Sequence, residues 1–80
     1  MVVTILTFGV AKDIIGREKF NLSIDSKTSV KQLKGVLLSK YVKLGTLSSF
    51  LLAVNASYAK DYTKLKDGDE VAIIPPTNGG

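Results

Sequence analysis

Cysteine and histidine, which supply many protein nucleophiles and the commonest neutral-pH general base, are both absent from this 80-residue chain. Their absence excludes disulfides, thiolate zinc sites and a persulfide carried on the chain itself. The acids Asp61, Asp67, Asp69 and Glu70 are too few and too clustered around a turn to make a convincing metal site, so they read as loop and turn acids. No metal and no bound cofactor is expected on the chain, and an enzyme working alone is disfavoured. The group that remains for chemistry is the C-terminal carboxylate of Gly80.

The last six residues are Pro75-Pro76-Thr77-Asn78-Gly79-Gly80. Most termini simply fray. A final Gly-Gly arises by chance in roughly one chain in 200, so the pair gains weight from what precedes it. The two prolines have no N–H for a sheet ladder and hold an extended exit. The two glycines carry no side chain that would collide with the wall of a narrow channel. The sequence therefore reads as a stiff spacer delivering a carboxylate into a partner's site. A carboxylate has a poor leaving group. Adenylation by ATP would give a mixed anhydride with a good one, and attack by a sulfur donor would leave a thiocarboxylate. This soft nucleophile needs no cysteine, base or metal on the carrier, because its partners supply them.

Eighty residues make one small domain, and 45% hydrophobic content suits a folded core. Val2–Phe8 reads as a strand, with Val3 and Ile5 on one face and Leu6 and Phe8 on the other. Val10–Ile15 reads as a helical turn ending at Gly16. Lys19–Ile24 alternates as a half-buried strand that pairs antiparallel with the first. Thr28 is the expected N-cap of a helix over Ser29–Tyr41, whose stripe is Val30, Leu33, Leu37 and Tyr41. Gly45 marks the loop after it. Phe50–Asn55 is a strand, with Leu52 and Val54 on one face and Leu51 and Ala53 on the other. Asn55-Ala56-Ser57 is a turn, Tyr58–Lys60 a short edge strand, Asp67-Gly68 a tight turn and Glu70–Ile74 the last strand. The fold class is α+β. A mixed sheet of four to five strands carries one main helix on one face, and the first and last strands lie side by side at its centre. This is the β-grasp, or ubiquitin-like, arrangement over residues 1–75, with 76–80 as a flexible Gly-Gly tail.

Three segments resemble a known family. Lys66-Asp67-Gly68-Asp69-Glu70-Val71-Ala72-Ile73-Ile74-Pro75-Pro76, followed by Gly79-Gly80, closely resembles the C-terminus of the small subunit of molybdopterin synthase. Ile5–Gly16 resembles that family's opening strand and turn, and Leu52-Ala53-Val54-Asn55 its middle strand. The family usually has Ala where Gly9 stands. The resemblance implies that an ATP-dependent activating enzyme, an adenylyltransferase/sulfurtransferase, adenylates and then sulfurates Gly80. It implies a complex of two small and two large subunits in which the large subunit supplies the catalytic side chains. Two sulfurs delivered in turn then convert cyclic pyranopterin monophosphate to the molybdopterin dithiolene. If Val3, Ile5, Val71 and Ile73 face the helix, Leu6, Phe8, Ala72 and Ile74 form an outer apolar face unless loops cover it. Phe8, Ile74, Pro75, Pro76 and Gly79 are the expected partner-binding residues.

Other readings stay open at this point. Thiamin-pathway carriers and ubiquitin-related modifiers also end in Gly-Gly, and a β-grasp module that binds without covalent chemistry fits the same elements. The net charge of +4 comes from dispersed lysines with no aromatic-interleaved motif, so no nucleic-acid partner is expected. The opening apolar run is too short and wrongly flanked for a signal peptide or membrane span, so a cytosolic protein with no membrane partner is expected.

Overall fold

The computed structural model describes residues 1–47 and 49–76. Five strands form one mixed sheet: β1 (Val2–Thr7), β2 (Lys19–Ser23), β3 (Leu51–Val54), β4 (Ser57–Tyr58) and β5 (Glu70–Ile74), in the order β2-β1-β5-β3-β4. Helix α1 (Gly9–Ile15) lies in the β1–β2 connection, and helix α2 (Val30–Lys40) is followed by a 3-10 turn over Val42–Thr46. At the centre β1 and β5 run parallel, with Ile5 opposite Val71 and Thr7 opposite Ile73. The remaining pairs, β1–β2, β3–β5 and β3–β4, are antiparallel. This is the β-grasp fold.

Period-two alternation decides which side chains are buried. Val3, Ile5, Val71 and Ile73 are fully enclosed on the inner face, with Leu52 beside them. Val30, Leu33 and Leu37 of α2 close on that face and are also fully enclosed. Thr7 occupies the third inward position on β1; its hydroxyl donates to the Arg17 carbonyl, which is how a polar residue is tolerated there.

The elements expected from sequence are present with shifted ends. β1 stops at Thr7, not Phe8, because Phe8 is the residue before α1. α1 spans Gly9–Ile15 rather than a single turn, and ends at Gly16 in the left-handed region (φ +80°). β2 ends at Ser23 rather than Ile24, and β3 spans Leu51–Val54 rather than Phe50–Asn55. The edge strand is Ser57–Tyr58 rather than Tyr58–Lys60.

The cap of α2 is Ser29 rather than Thr28, and the helix runs Val30–Lys40 rather than Ser29–Tyr41. Ser29 N–H donates to Gln32 Oε1 at 2.8 Å and Gln32 N–H donates to Ser29 Oγ at 3.2 Å, a reciprocal capping box. Thr28 is occupied otherwise, its hydroxyl donating to the Asp25 carbonyl at 2.6 Å. The carbonyls of Thr63 and Asp61 accept from the first free N–H groups of the helix, at Val30 and Lys31, so the loop before β5 straps the start of α2. The 3-10 turn was not foreseen. Its Leu44 is fully buried, which pins the loop after α2 to the core.

Among the described residues no helix is long and apolar enough to cross a membrane.

Candidate functional site

Sequence points to the exit of β5 and to the sheet face opposite α2. The register lays that face out in rows. One row runs Lys19, Leu6, Ala72, Ala53, Tyr58 across all five strands. The next row toward the C-terminal end of β5 pairs Ile74 with Leu51, and Phe8 lies just past the end of β1. In the row on the other side, Thr4 lies opposite Glu70.

Among the described residues no loop covers this face. Phe8 is 50% exposed, Leu51 52% and Tyr58 70%, while Leu6, Ala72 and Ile74 are half-buried. Phe8 is held where a side chain must project, in extended backbone (φ −138°, ψ 154°) at the corner from β1 into α1. Gly9 follows with φ +51°, and a Cβ at Gly9 would stand 3.7 Å from Pro75 Cγ. The β1–α1 corner thus lies against the proline exit. Two shallow hollows open on the face. One, about 340 Å³, lies over the alanines between Leu6 and Tyr58. The other, about 150 Å³, lies between Leu51, Tyr58, Ile74, Pro75 and Pro76. They share Tyr58 and Ile74, so the two hollows adjoin and lead from mid-sheet to the point where the chain leaves it.

Of the expected site residues, Phe8, Ile74, Pro75 and Pro76 come together at this end of the sheet. Gly79 and Gly80 lie outside the described residues. Sequence reading did not pick out Tyr58 and Leu51 as site residues. Alternation sets Leu51 on the face opposite Leu52, and pairing that face with the outer residues of β5 identifies it.

A larger hollow of about 570 Å³ lies elsewhere, between Ser23–Thr28, Gln32, Val36 and Lys64. Register puts Ser23 beside Val2, at the opposite end of the sheet from Ile74. Its Thr28 hydroxyl is used within the turn before α2 and its Gln32 amide oxygen in the α2 cap, so its polar groups are already engaged locally.

The turn acids have structural partners. Asp67 Oδ1 accepts from Val2 N–H at 2.7 Å. Asp69 accepts from Lys66 N–H at 2.8 Å and from Asn55 Nδ2 at 3.0 Å. Asn55 Oδ1 in turn accepts from Glu70 N–H at 3.0 Å, fixing the start of β5 to the β3–β4 turn. Asp61 faces Lys34 at 3.4 Å, an exposed pair of small energetic weight. What this region builds is a rigid base for β5.

A β-grasp body with an open apolar face running to the exit of its central C-terminal strand defines a ubiquitin-like protein. Residues 5–80 match the ThiS family, and the chain belongs to that family. A molybdopterin synthase sulfur carrier subunit from Dictyostelium discoideum is 38% identical over 84 residues, covering 95% of this chain and 93% of that protein. Among solved structures, the complex of subunits 1 and 2 of molybdopterin-converting factor from Helicobacter pylori contains a chain 30% identical to this one. It has a TM-score of 0.69 with both chains covered completely. SAMP1 from Haloferax volcanii shares the fold at 18% identity, with a TM-score of 0.84 and complete coverage of both chains.

Proposed function

We propose that this chain is the sulfur carrier subunit of a molybdopterin synthase, working in the cytosol, and that its reacting group is the Gly80 carboxylate. The observation that carries the reading is the outer face of the sheet, whose two hollows meet at Tyr58 and Ile74 and reach Pro75 and Pro76, where the chain leaves the central strand. The likeness to molybdopterin synthase sulfur carrier subunits along nearly the whole chain supports the same client.

The chemistry has two stages. The Gly80 carboxylate attacks the α-phosphorus of ATP on the activating enzyme, pyrophosphate leaves, and an acyl-adenylate forms. A donor sulfur at the oxidation level of sulfide then attacks the carbonyl carbon and AMP leaves, giving the thiocarboxylate. ATP is consumed by the activating enzyme and is not a ligand of this chain alone. The carrier then docks on a larger synthase subunit, in an assembly of two small and two large subunits. Two such sulfurs, delivered in turn, build the dithiolene on cyclic pyranopterin monophosphate. The large subunit contributes the catalytic side chains. This chain contributes recognition through Phe8, Ile74, Pro75 and Pro76, and Gly79 keeps the approach to the carboxylate narrow.

The test is the intact mass of untagged protein isolated from its own host. Exchange of one oxygen for sulfur, mapped to the peptide ending at Gly80, is the expected result. A carboxylate alone, even after incubation with ATP, a sulfur donor and the cognate activating enzyme, would refute the sulfur role. Co-purification with a pterin-binding subunit, rather than with a thiazole synthase or with lysine-modified targets, identifies the client.

A further inference from the structure

The middle row of the outer face has an uneven profile. Leu6 stands on β1, Ala72 on β5, Ala53 on β3 and Tyr58 on β4, each directly opposite the next. Two large side chains therefore flank two methyl groups at the centre of the sheet. That arrangement produces the hollow of about 340 Å³. Its wall is hydrocarbon apart from Tyr58 and one carboxylate, Glu70, which lies one row away on the same face of β5. The single ion pair among the described residues joins Lys34 and Asp61, so Glu70 has no cation paired to it within them.

We propose that this alanine-floored hollow is a socket for one bulky apolar side chain of the large synthase subunit, with a lysine or arginine beside it on that subunit meeting Glu70. The inference rests on the sulfur-carrier reading and adds the chemistry of the partner. Two observations choose this occupant. The socket is continuous, through Tyr58 and Ile74, with the surface at the proline exit, so a subunit that receives the tail also covers it. Its lone negative charge at the rim of an apolar depression asks for an apolar group with a cation next to it, and opposite charge at a rim steers association and fixes register. A buried anchor in a central pocket is where binding energy concentrates in interfaces of this kind.

Isothermal titration of the full chain into its own large subunit tests the socket, with folding of each variant checked by amide NMR. Ala72→Leu fills the floor and is expected to weaken binding by about tenfold or more. Glu70→Lys leaves the floor intact and reverses the rim charge. It is expected to weaken binding by about tenfold at low salt, with the difference from wild type shrinking as salt rises. Should wild type bind while both folded variants bind within about twofold of it, the socket is wrong and the sulfur-carrier reading stands. If the wild-type chain itself does not bind its large subunit, both fall together.

Discussion

Phe8 serves two elements at once. It precedes the first turn of α1 and projects, half exposed, onto the outer face beside the proline exit. This makes Phe8→Asp an informative substitution. Asp is a favoured N-cap residue, and Phe8 occupies an N-cap with no side-chain hydrogen bond, so the body should tolerate the change. A carboxylate set against an apolar partner surface should lower affinity for the large subunit about tenfold or more, and calorimetric titration checks it. Unchanged affinity would remove Phe8 from the interface. Ser29 gives a residue-scale test of the fold. Ser29→Ala removes the Oγ that accepts from Gln32 N–H, while the Ser29 N–H can still donate to Gln32 Oε1, and should cost about 1 kcal/mol in urea unfolding. The choice between Thr28 and Ser29 was open to sequence reading, because only Ser29 has a Gln three positions on. Both residues are good caps by type, and type alone could not separate them. Which of them turns back to Asp25 is settled by the path of the preceding turn.

Elements with a strong period were legible. Glu70–Ile74 was read with its ends correct, since Asp67-Gly68 bounds it before and Pro75 after, and its alternation sets Val71 and Ile73 against Ala72 and Ile74. The stripe Val30, Leu33, Leu37 likewise identified the buried side of α2. The 3-10 turn at Val42–Thr46 was not legible. Five residues are too few to show a period, and Gly45 signals only a loop. Nothing local distinguishes Leu44, fully buried, from Val42, 75% exposed, because the difference arises from where the loop crosses the core. That difference is measurable. Leu44→Ala should lose about 2–5 kcal/mol of stability through lost burial and the cavity left behind. Val42→Ala should stay within about 0.5 kcal/mol of wild type. A pair of urea melts decides it, and equal losses would mean that the turn does not anchor α2's exit. The outer face was partly legible in the same sense. Alternation in β1 and β5 exposed Leu6, Phe8, Ala72 and Ile74, but the trough needs the cross-strand register of Ala53 with both Ala72 and Tyr58, a non-local fact.

At the scale of the molecule, the body and the reacting group are separable. Every residue of the buried core lies between Val3 and Ile73, on the helix side of the sheet. The strap over α2 and the hydrogen-bonded turn before β5 also close without help from beyond Ile74. Folding free energy is thus collected upstream of Pro75, whereas the proposed chemistry resides wholly downstream, at Gly80. The charge distribution fits this division. Lysines are dispersed along the sequence, while the side chains around the alanine-floored hollow are mainly apolar, so association there should depend chiefly on apolar burial, with the local charge of Glu70 setting register. Removing Gly79 and Gly80 should therefore leave the melting curve and the amide NMR spectrum of the body unchanged. It should abolish the ATP–pyrophosphate exchange that the activating enzyme catalyses with the intact chain. The truncated chain should still compete for the large subunit, because the outer face and both prolines remain. Competition with lost exchange would separate docking from chemistry. Exchange that survived truncation would show that adenylation does not occur at Gly80 and would end the carrier reading. A destabilised body would show instead that the last residues take part in the fold.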